Sequence, residues 1–148
     1  RYMSHFGCTT VYIDGIGWGA GAAHAMRKLY PHFSVNAINV AESASADEQF
    51  SRLRDEIWWG ARKWFEGRMC SIPSSLPNSR KLISELSSVQ YSWTPANKIK
   101  VMSKQDMKKA ENGGKSPNLA DAFCLAVYGR PMGMGDAQSW DSPNYLVA

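Results

Sequence analysis

A nearly continuous apolar segment that contains one carboxylate constrains the fold of this chain more than any other stretch. Ser116 is a favourable helix N-cap and Pro117 suits the first helical position, so the sequence predicts a helix from there to Tyr128. Every residue after Asp121 in this helix is apolar or aromatic, which predicts burial on nearly all sides. A buried carboxylate costs free energy unless a cation, hydrogen-bond donors or water meets it, so Asp121 either caps a neighbouring structure or holds a metal ion. Asn118 shares its helical face and offers a second oxygen ligand.

A second acidic residue follows an apolar strand near the start of the chain. Residues 8–14 form a β-branched and aromatic run that ends at Asp14 and predicts a buried strand. A helical pattern over 22–30 and a short strand over 34–40 follow, and this order favours a right-handed parallel crossover. Asp14 is therefore expected at the carboxyl end of a strand, where open α/β sheets bind their ligands.

The glycine-rich segment after Asp14 is open to three interpretations. The spacing of glycine and alanine over 15–20 fits the loose dinucleotide-binding pattern, with Glu42 near the distance expected for a ribose contact. The charge of Asp14 and the bulk of Trp18 argue against a pyrophosphate there. In the second interpretation Asp14 is a metal ligand and the glycines make room for a nucleic-acid backbone. In the third, the segment is a tight turn beside a solvated aspartate.

The middle of the chain predicts a long amphipathic helix and several shorter elements. The helix is expected over 46–67, with Asp47 at its start, Gly67 at its end and an aromatic stripe that follows the helical period and therefore belongs to the core. The shorter elements are a helix over 78–89, a hairpin of 89–93 and 98–102, and a lysine-rich helix headed by a capping box of Ser103 and Asp106.

The net charge of +4 is modest, but the basic residues cluster in two places. The clusters are Arg52, Arg54, Arg62, Lys63 and Arg68 on the long helix, and Lys98, Lys100, Lys104, Lys108, Lys109 and Lys115 before the closing helix. A basic surface beside an acidic site suits an enzyme that cuts phosphodiesters, although each cluster alone is more typical of a solvated face. No apolar run is long enough to span a bilayer, and three widely spaced cysteines suit a reducing compartment.

Taken in order, the motifs resemble the C-terminal nuclease domain of the large subunit of tailed-phage terminases, the motor that packages and cuts viral DNA. The motifs lie at 12–21, 50–59, 72–73, 81–86, 99–109 and 116–122. Each is short, and their order and spacing make the resemblance fairly specific. It covers residues 8–128.

The resemblance implies an α/β, RNase H-like fold in which helices flank a mixed central sheet, and it implies divalent-metal hydrolysis of DNA. Asp14 and Asp121 match two of the family's acidic positions, which implies that both are catalytic metal ligands. Asn118 falls where many relatives carry aspartate near the metals, so its amide is a further candidate ligand. Carboxylate and water ligation suits Mg²⁺ or Mn²⁺, in a two-metal site when the domain is complete.

The same resemblance implies partners and a place of action. Lys104, Lys108 and Lys115 are expected to contact phosphates without reading sequence. The implied partners are double-stranded DNA, the terminase ATPase domain, the small subunit and the portal, with no membrane partner. The place of action is the cytoplasm of the host cell of a phage or prophage.

The family's first-strand aspartate has no counterpart in this chain. The strands that carry it would precede Arg1, so we expect a fold that lacks its first strands and a chain cut from a longer protein. Residues 1–130 are expected to form the C-terminal portion of the nuclease domain and 131–148 an irregular tail. Because two metal ions need three or more carboxylates, the alternative function is a catalytically incomplete DNA-binding or assembly module of the same fold. A dinucleotide-binding oxidoreductase is a further alternative.

Overall fold

The computed structural model describes residues 3, 7–68, 70, 72–109 and 116–129, without the side chains of Lys104, Lys108 and Lys109. Within these residues the elements are β1 (Thr10–Asp14), α1 (Trp18–Leu29), β2 (Ser34–Ile38), α2 (Leu53–Glu66), α3 (Ser79–Ser87), β3 (Tyr91–Trp93), β4 (Ile99–Val101), α4 (Lys104–Lys109) and α5 (Asn118–Tyr128). In this part of the chain no helix has the length and apolar character needed to cross a membrane. The expected tail over 131–148 lies outside the described residues.

The first elements form a strand–helix–strand unit. β1 and β2 pair in parallel, with Asp14 opposite Ile38, which confirms the predicted parallel pairing. α1 packs against both strands. It begins at Trp18, earlier than the predicted start at residue 22, because Gly19 and Gly21 are accommodated inside the helix rather than in a preceding loop.

The hydrophobic core lies where α5 packs against α2, α3 and β1. The buried residues of α5 are Ala120, Phe123, Cys124, Leu125 and Val127. The apolar stripe of α2 meets them, and Ile57, Trp58 and Ala61 of that stripe are buried in the same cluster. The prediction of burial is therefore confirmed for the closing helix, and for the stripe up to its last residue, Phe65, which is 36% exposed. An apolar face buried in this way supplies most of the stability of a helix.

The long helix begins later than the sequence predicts, and the prediction that Asp47 caps it is wrong. α2 starts at Leu53, because the preceding segment pairs with β4 instead of coiling. Ile99 donates its backbone N–H to Gln49 (2.7 Å) and accepts the N–H of Ser51 (3.0 Å). Gly67 ends the helix as expected.

A hairpin and a short helix follow as predicted. β3 and β4 are antiparallel, with Tyr91 opposite Val101. At the head of α4 the backbone N–H of Asp106 donates to Ser103 Oγ (3.1 Å), which confirms Ser103 as the cap. The Ser103 hydroxyl donates to the Asp106 carboxylate (2.5 Å), so the second described bond joins the two side chains instead of reaching the backbone as in a capping box. The described strands form two small sheets, one parallel and one antiparallel.

Candidate functional site

Asp14 is the last residue of β1, as the sequence predicts. Its Oδ1 accepts the backbone N–H of Ile16 (3.1 Å), and the next residue, Gly15, donates its N–H to the carbonyl of Ile38 (2.7 Å). The carboxylate is thereby fixed at the carboxyl end of the parallel pair, the position at which α/β sheets bind ligands.

Asp121 lies in the first turn of α5 and faces α2. The indole Nε1–H of Trp58 donates to its Oδ1 (3.0 Å), and Arg54 Nη2 lies 3.9 Å from the same oxygen. The side chains of Arg54 and Asp121 are 15% and 19% exposed, so both are largely removed from water without being sealed from it. The sequence left Asp121 as either a structural cap or a metal ligand. In the structure its described partners are the side chains of Trp58 and Arg54 on α2.

The two aspartates line one cleft, although they lie 107 residues apart in the sequence. Its volume, including the open mouth, is about 260 Å³. The lining residues are Asp14, Val40, Arg54, Ile57, Trp58, Asp121 and Leu125. The structure therefore brings together two carboxylates and one guanidinium in a pocket whose remaining walls are apolar. Low-polarity walls strengthen the attraction between such carboxylates and a cation.

Sequence reasoning missed Arg54 and Trp58 as parts of this site. Arg54 was assigned to a basic surface cluster and Trp58 to the core stripe. The Arg54 guanidinium donates to the carbonyl of Met102 (3.0 Å) and lies 5.5 Å from the centre of the Trp58 ring. Their spacing of one helical turn on α2 was the available signal, because it places a cation and an indole donor on the same face.

Both ends of α5 are tied to other elements, which fixes Asp121 in place. Glu85 of α3 accepts the backbone N–H of Ala120 at 3.0 Å, and the Tyr12 hydroxyl of β1 donates to the carbonyl of Gly129 at 2.9 Å. The prediction that Ser116 caps this helix is wrong. The N-cap is Pro117, which offers no side-chain acceptor, and the carboxylate of a neighbouring helix supplies the missing acceptor.

The donor set fits one hard divalent cation better than two. Asp14 and Asp121 supply carboxylate oxygens, the ligands that Mg²⁺ and Mn²⁺ prefer. Each of these carboxylates accepts a hydrogen bond at Oδ1, and an ionised carboxylate offers about four acceptor positions on its two oxygens. Among the described residues no group of three or more acidic, histidine or cysteine side chains is placed to hold a metal ion. Asn118 is exposed at the start of α5 and is not among the residues that line the cleft.

Cys124 lies one helical turn after Asp121 and does not extend this ligand set. Burial, and to a smaller degree the negative charge of Asp121, raises the pKa of its thiol, while Arg54 acts in the opposite direction. Cys124 is not among the residues that line the cleft, and Mg²⁺ and Mn²⁺ prefer oxygen ligands to sulfur.

The basic clusters are only partly described. Lys115 and the side chains of Lys104 and Lys108 lie outside the described residues, so their expected phosphate contacts stay predictions. Three members of the cluster on α2 have acidic neighbours, because Arg54 lies beside Asp121 and both Arg62 and Lys63 pair with Glu66. Arg62 donates to Glu66 (2.7 Å) and Lys63 lies 3.0 Å from the same carboxylate, and these two contacts lower the pKa of Glu66.

Strand–helix packing explains the glycine spacing that also suggested a dinucleotide site. A Cβ on Gly19 would lie 1.7 Å from the carbonyl oxygen of Asp14, and a Cβ on Gly15 would lie 3.2 Å from that of Ile38. Gly17 has a φ of +60°, which only glycine adopts readily here. The glycines let α1 approach the end of β1 closely, with no pyrophosphate required.

Comparison with solved structures identifies the fold. The amino-acid sequence matches no family model, and no curated protein matches it. A manganese-containing variant of the nuclease domain of the large terminase subunit gp2 of bacterial virus Sf6 matches with a TM-score of 0.70 and 20% identity, over 88% of this chain and 70% of that one. A calcium-containing variant gives a TM-score of 0.70, with 20% identity over 88% and 69%.

The nuclease domain of the same subunit, whose description names no metal, matches with a TM-score of 0.62 and 21% identity, again over 88% of this chain and 69% of that one. The predicted fold class is thereby confirmed, and the two small sheets are parts of that architecture. This chain has the mixed α/β, RNase H-like fold of the nuclease domain of a phage terminase large subunit.

Proposed function

We propose that this chain is the catalytic portion of a metal-dependent endonuclease that cuts double-stranded DNA during phage genome packaging. The observation that carries the proposal is the meeting of Asp14, at a strand end, with Asp121, on the closing helix, in a single cleft. Resemblance of the fold to terminase nuclease domains supports the reaction class, and two of those neighbours contain manganese or calcium. The substrate is then a phosphodiester whose charge a divalent cation offsets.

Each residue of the cleft has a part in this proposal. Asp14 and Asp121 hold the cation, Mg²⁺ or Mn²⁺. When bound, the cation supplies Lewis-acid charge and lowers the pKa of a coordinated water. Trp58 fixes the orientation of the Asp121 carboxylate, and Arg54 offsets its charge when no cation is present. Asn118, one turn earlier on α5, is proposed to act through water at the edge of the site rather than as a direct ligand.

The proposal includes the partners and location that the fold suggests. Lys104, Lys108 and Lys115 contact DNA phosphates beside the cleft and add affinity without sequence preference. The terminase ATPase domain, the small subunit and the portal are the protein partners, and the host-cell cytoplasm is the place of action.

A second candidate is a DNA-binding or assembly module with this fold and without catalysis. The observation that favours it is the count of acidic groups, because the described cleft holds two carboxylates and two metal ions need three or more. Such a module binds duplex DNA and leaves it intact.

Conservative substitution of each aspartate tests the proposal. Asp14→Asn and Asp121→Asn keep the size of the side chain and remove its charge, so each is expected to abolish Mn²⁺-dependent nicking of supercoiled plasmid and to weaken Mn²⁺ binding by at least tenfold. Binding is measured by the paramagnetic relaxation of water protons. Asp106→Asn removes an exposed carboxylate on α4 and serves as the control that retains both activities.

The outcomes separate the two candidates. Nicking by the unmodified protein that both aspartate variants lose supports the nuclease. Duplex binding without nicking at any Mn²⁺ concentration supports the module. Undiminished nicking in either aspartate variant contradicts the assignment of the site.

A further inference from the structure

Two large apolar side chains beside the candidate site are exposed to solvent. Trp18 is 97% exposed and Ile16 is 47% exposed, and both belong to the segment that follows Asp14. Single exposed apolar residues are common on protein surfaces, but tryptophan is highly buried on average. An indole that is almost wholly exposed next to a ligand-binding strand end therefore calls for a functional explanation.

The backbone that carries these side chains is held firmly. Gly15 donates its N–H to Ile38 at 2.7 Å, Ile16 donates to the Asp14 carboxylate at 3.1 Å, and Gly19 donates to the carbonyl of Ile16 at 3.3 Å. Gly19 also packs directly on the Asp14 carbonyl. The segment is thus anchored to the same strand end as the candidate metal ligand. Little backbone entropy therefore remains to be lost when a partner binds Trp18.

We propose that Ile16 and Trp18 form an apolar wedge that inserts against the bases of duplex DNA held at the Asp14–Asp121 cleft. This inference rests on the proposed function. Ile16 and Trp18 follow Asp14 within four residues. A duplex whose backbone reaches Asp14 therefore also passes these side chains, so the wedge meets the DNA beside the scissile phosphate. The first turn of α1, where Trp18 lies, contains no acidic residue, so no carboxylate of that turn offsets the positive end of the helix dipole beside the wedge.

The wedge gives the enzyme a preference for certain DNA sequences, which phosphate contacts alone do not supply. Apolar side chains that enter between base steps unstack and kink the duplex. The deformation is easiest at pyrimidine–purine steps such as TA and hardest in stiff A-tracts. The expected consequence is stronger binding and cutting at TA steps than in A-tracts, although the protein reads no base edge.

The test measures unstacking directly, with the 148-residue chain and Ca²⁺ in place of a cleavage-supporting ion. Duplexes carry 2-aminopurine in a central TA step or in an A-tract. The unmodified protein is expected to raise 2-aminopurine fluorescence at the TA step. Trp18→Ala is expected to abolish the rise and to weaken binding roughly tenfold or more, since aromatic–base contacts are lost. Trp18→Phe, which keeps an aromatic wedge, restores most of the signal.

Trp93→Ala is the matched control. Trp93 is also exposed, at 58%, but it lies on β3, which among the described elements packs against β4 and not against β1 or α1. This variant is expected to behave as the unmodified protein. Circular dichroism confirms that each variant is folded.

Several results overturn the wedge. If Trp18→Ala and the unmodified protein give equal fluorescence and bind DNA with equal affinity, the wedge is wrong. The nuclease proposal stands in that case, provided that the protein still nicks plasmid with Mn²⁺. A dimer in light scattering that Trp18→Ala converts to a monomer assigns the indole to a contact between copies instead. If the unmodified protein binds neither duplex nor Mn²⁺, the proposed function and the wedge fail together.

Discussion

The most buried carboxylate of the described chain is Asp55, and it provides the sharpest test of how this fold is held together. Its side chain is 4% exposed, and its two oxygens accept the backbone N–H groups of Val101 (2.9 Å) and Arg52 (3.0 Å). Asp55 thereby joins α2 to β4. Asp55→Ala leaves the buried Val101 N–H without an acceptor, which costs about 1–3 kcal/mol. Loss of the contact with Arg52, at the start of the helix, costs about 0.5–2 kcal/mol more.

The free energy of unfolding is therefore expected to fall by about 1.5–5 kcal/mol, with a Tm lower by roughly 5–15 °C. Asp55→Asn keeps an oxygen that accepts the Val101 N–H but turns its NH₂ group toward the Arg52 N–H, where an acceptor is needed. We expect the free energy of unfolding of this variant to fall by about 1 kcal/mol. Urea unfolding, followed by tryptophan fluorescence, measures both. Asp106→Ala, which removes an exposed carboxylate and its bond to the Ser103 hydroxyl, is the control and is expected to change stability by about 0.5 kcal/mol. An Asp55→Ala protein within about 0.5 kcal/mol of the unmodified one would refute this account.

Two further predictions concern the surroundings of the cleft. Gly19→Ala places a Cβ 1.7 Å from the Asp14 carbonyl oxygen, so α1 must move away from β1, and we expect a loss of about 1–3 kcal/mol in urea unfolding together with weaker Mn²⁺ binding. Gly21→Ala, where a Cβ meets nothing within 4 Å, is the matched control and should stabilise the helix by about 0.5–1 kcal/mol; equal effects of the two would contradict the close approach. Because burial raises the pKa of Cys124, iodoacetamide at pH 8 should leave this thiol unlabelled in the native protein and label it after denaturation, as mass spectrometry can show. Asp121→Asn should not change that protection, because burial is the first cause of the shift; rapid native labelling of Cys124 would be evidence against the packing of α5.

Local patterns predicted the elements whose formation depends on neighbouring residues. The apolar run after Asp121 identified the closing helix, and the β-branched run before Asp14 identified the strand that carries it. Ser103 and Asp106 identified the capped start of α4. In each case the determining interactions span a few residues, so periodicity and capping chemistry contain the necessary information.

Long-range contacts decided the rest. The start of α2 is set by pairing of the segment before it with Ile99, a residue that lies far along the chain. The acceptor at the start of α5 is Glu85, from another helix, rather than the local Ser116 that propensity favours. Arg54 was identifiable as basic but not as a partner of Asp121, because that contact exists only when α2 packs on α5.

Asp55 and Asp121 show why burial alone does not identify a functional carboxylate. Asp55 is the more buried, but backbone N–H groups of two elements occupy its oxygens, and these groups cannot move without disrupting the fold. Asp121 is less buried and its described partners are the side chains of Trp58 and Arg54. The guanidinium contact of 3.9 Å is long, and Arg54 is also held by the carbonyl of Met102, so its charge can yield to a cation without loss of its other anchor. The carboxylate that meets side chains at an open cleft is therefore the one suited to binding a ligand, and the carboxylate that accepts backbone N–H groups is the one suited to holding the fold.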